Sequence, residues 1–186
     1  MGKVLVIKNA DFSKNAVGNN SSSSNSWSDT IYTMGSLSLS EQQSATNTTR
    51  GMSSPFDLAN KKIVAVSFVG NTHLSSGMTT GAIIRVNRNT GECTNLVTFP
   101  VSSVVSGTNR IQLPEEIVCT SDDIIALGYT TQNPSPSQNK SDYFKFGKAG
   151  DTSGLYYIHD NPKNLPYKLF LPQFQVCILI EYRKHL

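Results

Sequence analysis

Apolar residues in this chain gather in short dense runs separated by polar stretches, and nowhere do they recur at helical spacing over the length of a helix. The run Ile63-Val64-Ala65-Val66-Ser67-Phe68-Val69 is rich in β-branched residues and apolar on both faces, which predicts a strand covered on both sides in a core that begins at Lys61. Gly81 to Asn87 and Glu92 to Phe99 form the clearest hairpin, because Asn87-Arg88-Asn89-Thr90-Gly91 between them supplies the Asn and Gly that a short turn demands. Arg110 to Leu113 reads as a short strand stopped by Pro114. Ile117 to Cys119 and Ile124 to Tyr129 are strands on either side of Ser121-Asp122-Asp123, an Asx-type turn. Tyr143 to Phe146 and Leu155 to Ile158 are strand-like. Gln175 to Arg183 is the strongest run; its apolar first half and alternating second half predict a strand leaving the core for a sheet edge.

The first third is more polar. Lys3 to Lys8 predicts a short strand, Asn19 to Ser26 a loop, and Trp27 to Thr33 a further strand. Ser36 to Ser40 alternates, with Leu37 and Leu39 on one face. Ser40-Glu41-Gln42-Gln43 resembles a capping box with no apolar stripe behind it, so one helical turn is the most it predicts. Ala45 to Ser54 and the proline-bearing Gln132 to Ser141 are expected to be loops. Eight to ten short strands with turn signals between them mean an all-β sandwich or barrel. The expectation is a jelly-roll-type β-sandwich with an extended N-terminal arm, although immunoglobulin-like topologies share these signals and strand order is not fixed by them. The expected division is residues 1–26 as arm and loop and 27–186 as sandwich.

Composition narrows the function. Hydrophobic residues make up 38% of the 186, and plentiful Ser, Thr and Asn fit long polar loops between strands. A net charge of +3, with no cluster of Lys and Arg, gives no case for a nucleic-acid partner. No run approaches the roughly 20 apolar residues of a membrane helix, and Val4 to Ile7 is too short for a signal core. The expectation is a protein made in a cytoplasm, without membrane insertion. Cys93, Cys119 and Cys177 lie among strand residues and are expected as buried free thiols.

The residues make no strong case for catalysis. His73, His159 and His185 stand beside no nucleophile motif, and Ser137-Gln138-Asn139-Lys140 matches Ser-x-x-Lys only in spelling. Asp122-Asp123 lacks the further oxygen ligands of a calcium loop. Neither a metal nor a cofactor is expected. The aromatic residues Trp27, Tyr32, Tyr129, Tyr143, Tyr156 and Tyr157 suit either the interior or a sugar-stacking surface. Trp27 and Tyr143 are the candidate glycan contacts, Trp27 because it interrupts a polar segment.

The opening Val4-Leu5-Val6-Ile7-Lys8-Asn9-Ala10-Asp11-Phe12-Ser13-Lys14-Asn15-Ala16-Val17-Gly18 resembles an N-terminal motif, IKNADFSxNAVG, found in proteins of Bacteroides and their phages and prophages. There it often precedes a β-sandwich, sometimes with a GDSL-type hydrolase beyond; no block of this chain matches that hydrolase. The resemblance implies a non-enzymatic virion protein, of head-fibre, capsid-decoration or tail-fibre type, located in the virion. Its partners would be other capsid or tail proteins and further copies of itself, a trimer being favoured. Val4, Val6, Asn9, Asp11 and Phe12 are the candidate attachment residues: a short strand can add to a partner's sheet while Phe12 fills a pocket. The alternatives are a carbohydrate-binding module, with a host-surface glycan as partner, and a cryptic glycan or ester hydrolase.

Overall fold

The computed structural model describes residues 26–44, 51–53, 56–71, 80–90, 92–129, 143–148, 156–157, 167–168 and 174–186. These form strands β1 (Tyr32–Gly35), β2 (Gln43–Ser44), β3 (Gly51–Ser53), β4 (Lys61–Gly70), β5 (Thr80–Asn87), β6 (Cys93–Pro100), β7 (Gly107–Cys119), β8 (Asp123–Tyr129), β9 (Lys145–Lys148), β10 (Tyr156–Tyr157), β11 (Tyr167–Lys168), β12 (Phe174–Val176) and β13 (Ile178–Lys184). Among the described residues the only helical element is a single 3-10 turn, Val101–Ser103. The strand readings over Lys3 to Lys8 and the loop over Gln132 to Ser141 lie outside the described residues, as does all but Ser26 of the Asn19 to Ser26 loop.

The pairings define the fold. β5 pairs with β6, β4 with β7, β3 with β8 and β1 with β13, all antiparallel. Each successive pair encloses the one before, so the chain is a long nested hairpin. Two further pairings, β13 with β4 and β5 with β8, roll that hairpin into two sheets. One has the order β1-β13-β4-β7; the other has β3-β8-β5-β6, extended beyond β3 by β10 and β11. This strand order is that of a jelly roll, the expected type of sandwich, and it is the pairing that separates it from an immunoglobulin-like order. A third small sheet, β12-β9-β2, stands beside it.

Strand alternation explains the layers. In β13, Ile178, Ile180 and Tyr182 are buried while Leu179, Glu181 and Arg183 are partly exposed, the period-2 signature of a sheet with one wet face. Ile63, Val66 and Phe68 of β4 meet Ile83 of β5 and Ile125 and Leu127 of β8 in a single core. Phe68 stacks on Phe99 at 5.7 Å, and Tyr143 meets both rings edge-on at 5.7 and 5.4 Å, so aromatic pairs bridge the two sheets. The intervening residues Ala82, Ile84 and Val86 of β5 and Ile124 and Ala126 of β8 form a second buried cluster. These two strands are therefore covered on both faces, and their sequences are apolar without alternation for that reason. In β4, Val64 and Ala65 are buried too. They lie on the face crossed by the Arg110–Glu181 ion pair at 2.6 Å and the Gln112 Nε2 bond to the Val64 carbonyl.

Several local readings need correction. Pro114 does not end a strand: β7 continues to Cys119. β7 is an edge strand, and its register against β4 slips between Ile63 and Ala65, whose partners are Ile117 and Gln112. A bulge on an edge asks no ladder bond of proline. Gly51–Ser53, inside an expected loop, is β3, because long-range pairing to Ala126 through Gly128 decides its state. The strand expected over Trp27 to Thr33 begins only at Tyr32, after an isolated bridge from Trp27 to His185.

The alternating Ser36 to Ser40 segment is not a strand. It follows Gly35, whose φ of 100° turns the chain away, and a Cβ there would collide with the Ile178 carbonyl oxygen. Ser40-Glu41 is a turn with Glu41 at φ 52°, and no helical turn follows. The Tyr143 to Phe146 run becomes a bridge from Phe144 to Gly70 and then β9, which reaches Lys148. Of Leu155 to Ile158, only Tyr156–Tyr157 is described. The final run is two strands: the chain switches sheets at Cys177, β12 pairing with β9 and β13 with β1 and β4. β13 is interior to its sheet, so its alternation reports the solvated face and not an edge.

Candidate functional site

The two candidate glycan contacts are not brought together. Tyr143 is fully buried; its hydroxyl donates to the Gly128 carbonyl at 2.6 Å and lies 3.4 Å from that of Ala82. Burial pushes its pKa up, so the ring is a neutral core element. No ligand can stack on it, and its assignment as a sugar contact is withdrawn. Wedging a tyrosine between two sheets needs room as well as a hydroxyl partner, and Gly81 provides the room: a Cβ there would lie 2.6 Å from the Phe99 ring and 3.0 Å from that of Tyr143.

Trp27 is half-buried at the corner where the chain enters the roll. Its ring meets His185 edge-on at 5.0 Å, and Lys62 Nζ lies 6.0 Å from its centroid. Backbone bonds from Ser28 N to the Lys184 carbonyl and from Leu186 N to the Ser26 carbonyl stitch this entry to the last strand. Arg183 adds side-chain bonds: its Nη1 donates to the carbonyls of Ser28 and Asp29, and its Nε to Glu116. Lys62 pairs with Glu116 at 3.2 Å. Burial opposes ionisation of Glu116, but its bonds to Arg183 and Lys62 prevail and hold its pKa below the usual carboxylate value. The attachment residues Val4, Val6, Asn9, Asp11 and Phe12 lie outside the described residues.

A third place was not singled out from the sequence. At the opposite end of β5, the side chains of Arg85, Asn87, Glu92, Thr94 and Asp123 line an open polar concavity of about 50 Å3. Register explains the convergence: Arg85 is directly opposite Thr94, and Asn87 is opposite Asp123. Arg85 and Asp123 share the inward faces of Ile83 and Ile125, so the pocket sits at the end of the sandwich interior. The surrounding turns are tied by Arg88, whose N–H donates to the Asp122 carbonyl at 2.7 Å and whose guanidinium reaches the Phe56 carbonyl at 3.4 Å. The turn expected at Ser121-Asp122-Asp123 is present but is not of Asx type: Asp123 Oδ2 accepts backward from Thr120 N at 2.8 Å and from its hydroxyl at 3.3 Å, while the Thr120 hydroxyl accepts from Asp122 N at 3.2 Å. The signal available in the sequence was Arg85 itself, a charged residue at an inward position of an otherwise apolar strand.

No disulfide joins the three cysteines. Cys119 and Cys177 are buried, whereas Cys93 is only partly so. Burial first, and then the neighbouring Asp123 carboxylate against the opposing Arg85, pushes the Cys119 thiol up to about 12, which leaves it protonated and unreactive. His185 is exposed, and His73 and His159 lie outside the described residues. Among the described residues no group of three His, Cys, Asp or Glu could hold a metal ion, and no helix is long and apolar enough to cross a membrane. Compared with protein-family models, with curated proteins and with solved structures, the chain matches none. Fold and geometry alone define its class: an all-β jelly roll with a polar pocket at the end of its interior.

Proposed function

We propose that this chain is a structural protein of a bacteriophage virion, a head fibre, capsid decoration or tail-fibre component, which acts by assembly and not by catalysis. The observation that carries the reading is the junction at Ser26 to Ser28, held to Lys184 to Leu186 by backbone bonds, Arg183 and the Trp27–His185 contact. A junction pinned on this scale lets the preceding residues, with their phage-like motif, engage a neighbour while the roll stays rigid. Strand addition by Val4 to Ile7, with Phe12 as an anchor, is the mode of grip, and three copies form the working unit.

Peptide mass spectrometry of purified, chloroform-washed phage particles tests the assignment. The chain should be recovered at a fixed ratio to the major capsid protein, and its absence from intact particles refutes the proposal. A variant lacking residues 1–25 should keep the thermal transition of the roll and lose co-sedimentation with particles. Sedimentation equilibrium of the full chain should return three times the 20.3 kDa protomer mass.

A further inference from the structure

The pocket at the end of the sandwich has polar groups that the protein itself does not use. Among the described residues, Arg85 has neither a hydrogen-bond nor an ion-pair partner, although Asp123 and Glu92 line the same pocket. Asp123 spends one carboxylate oxygen on the Thr120 turn. Asn87 spends its side-chain oxygen on the backbone N–H groups of Asn89 and Thr90, at 2.9 and 3.0 Å. What remains for a ligand is the guanidinium fork of Arg85, the Asn87 amide N–H pair, the Thr94 hydroxyl, the Glu92 carboxylate and the second oxygen of Asp123.

Charge and size select the ligand. One guanidinium against two carboxylates makes the lining net negative, so a simple anion meets more repulsion than attraction, and a bare cation meets Arg85. An uncharged group that both donates and accepts suits the unspent donors and acceptors alike. A water needs roughly 10–15 Å3 of such cavity space, so a pocket of about 50 Å3 admits only a few heavy atoms. We propose that it binds a vicinal hydroxyl pair of a carbohydrate, the Arg85 fork donating to both oxygens while Asp123 and Glu92 accept their protons. The rest of the sugar lies outside, over the turn at Arg88 to Thr90. So few buried atoms imply an affinity of about millimolar per site, useful when copies act together. The inference rests on the pocket alone and is independent of the virion assignment.

The test is an amide NMR titration of the full chain with methyl α-D-mannopyranoside, methyl β-D-galactopyranoside and methyl α-L-fucopyranoside. At least one should give saturable shifts centred on Arg85, Asn87, Thr94 and Asp123. Arg85→Gln should weaken that binding by about tenfold or more, the effect of losing a charged hydrogen bond, with amides outside β5, β6 and β8 unchanged. Glu92→Gln, at an exposed rim position, carries the same test should the first variant unfold, and Trp27→Ala should leave the titration intact. Absence of saturable shifts with all three glycosides overturns the proposal. So does binding lost in Trp27→Ala but kept in Arg85→Gln or Glu92→Gln. Saturation of the same amides by glycine or inorganic phosphate in place of the glycosides overturns the ligand class.

Discussion

Tyr143→Phe isolates one buried hydroxyl while keeping the ring that joins the sheets. The hydroxyl bonds the Gly128 carbonyl at 2.6 Å in a fully buried site, and the second oxygen, that of Ala82, is at the limit of bonding at 3.4 Å. The change therefore removes one good hydrogen bond, worth about 1 kcal/mol net, and leaves a buried carbonyl short of a partner, which adds about 1 kcal/mol. A loss of about 2 kcal/mol is expected, against about 3–5 kcal/mol for Tyr143→Ala, which also opens a cavity among Phe68, Phe99 and Phe144. Urea unfolding followed by tryptophan fluorescence should show a lower midpoint with unchanged slope, and the melting temperature should fall by about 4–8 °C. The pH dependence is a sharper signature. Burial raises the pKa of Tyr143 in the folded state, so above about pH 10 only the unfolded wild type sheds this proton. Wild-type stability then drops by about 1.4 kcal/mol per pH unit. The phenylalanine variant has no proton to shed, so the gap between the two proteins should narrow as pH rises. A cost below about 0.5 kcal/mol at neutral pH, or a gap that stays constant from pH 9 to 11, would refute the buried hydrogen bond.

Gly81→Ala should destabilise by about 1–3 kcal/mol in the same urea assay, because the new methyl presses on the Phe99 and Tyr143 rings. Cys119→Ala should flatten alkaline destabilisation. The wild-type thiol, raised to about 12 in the folded state from 9.0, contributes stability that is complete below pH 9 and is lost as pH climbs toward 12. Glu116→Gln should cost less than about 1 kcal/mol, since its pairs are partly exposed. Its folded pKa is lowered, so that small cost should be present above the ordinary carboxylate range and fade as pH falls through the folded pKa in acid-unfolding curves.

The strands of the roll were legible wherever burial leaves a local mark. β4, β5, β8 and β13 are read from their apolar runs, and the β5–β6 hairpin from its Asn-Gly turn. Alternation speaks to layers only in part. The Ile63 to Val69 run reads as covered on both faces, and Val64 to Val66 and Phe68 are buried. The alternating half of β13, which reads as an approach to an edge, instead marks one wet face of an interior strand. What could not be read was pairing. β1 and β13 lie at opposite ends of the chain, and nothing in Tyr32-Thr33-Met34-Gly35 names Leu179 to Tyr182 as its partner. β3 is three residues whose state exists only because β8 is beside it. Pro114 shows the converse, a strong local signal silenced by its place on an edge and in a bulge.

The candidate sites follow the same logic, since a site is a statement about pairing. Trp27 and Tyr143 were drawn together by residue type, yet one is pinned beside His185 at the chain's entry and the other is sealed behind Phe68. Arg85, Thr94 and Asp123 were read only as members of separate strands and a turn, yet the ladder puts them around one pocket. Type alone favours aromatic residues as sugar contacts. Burial argues differently: the jelly roll needs its aromatics to bridge two sheets, so polar side chains at the sheet ends, where the interior runs out, are left to meet a ligand. A charged residue in the inward phase of an apolar strand marks such an end. In this chain that residue is Arg85, whose phase matches Ile83 and whose position opposite Thr94 brings it to the rim.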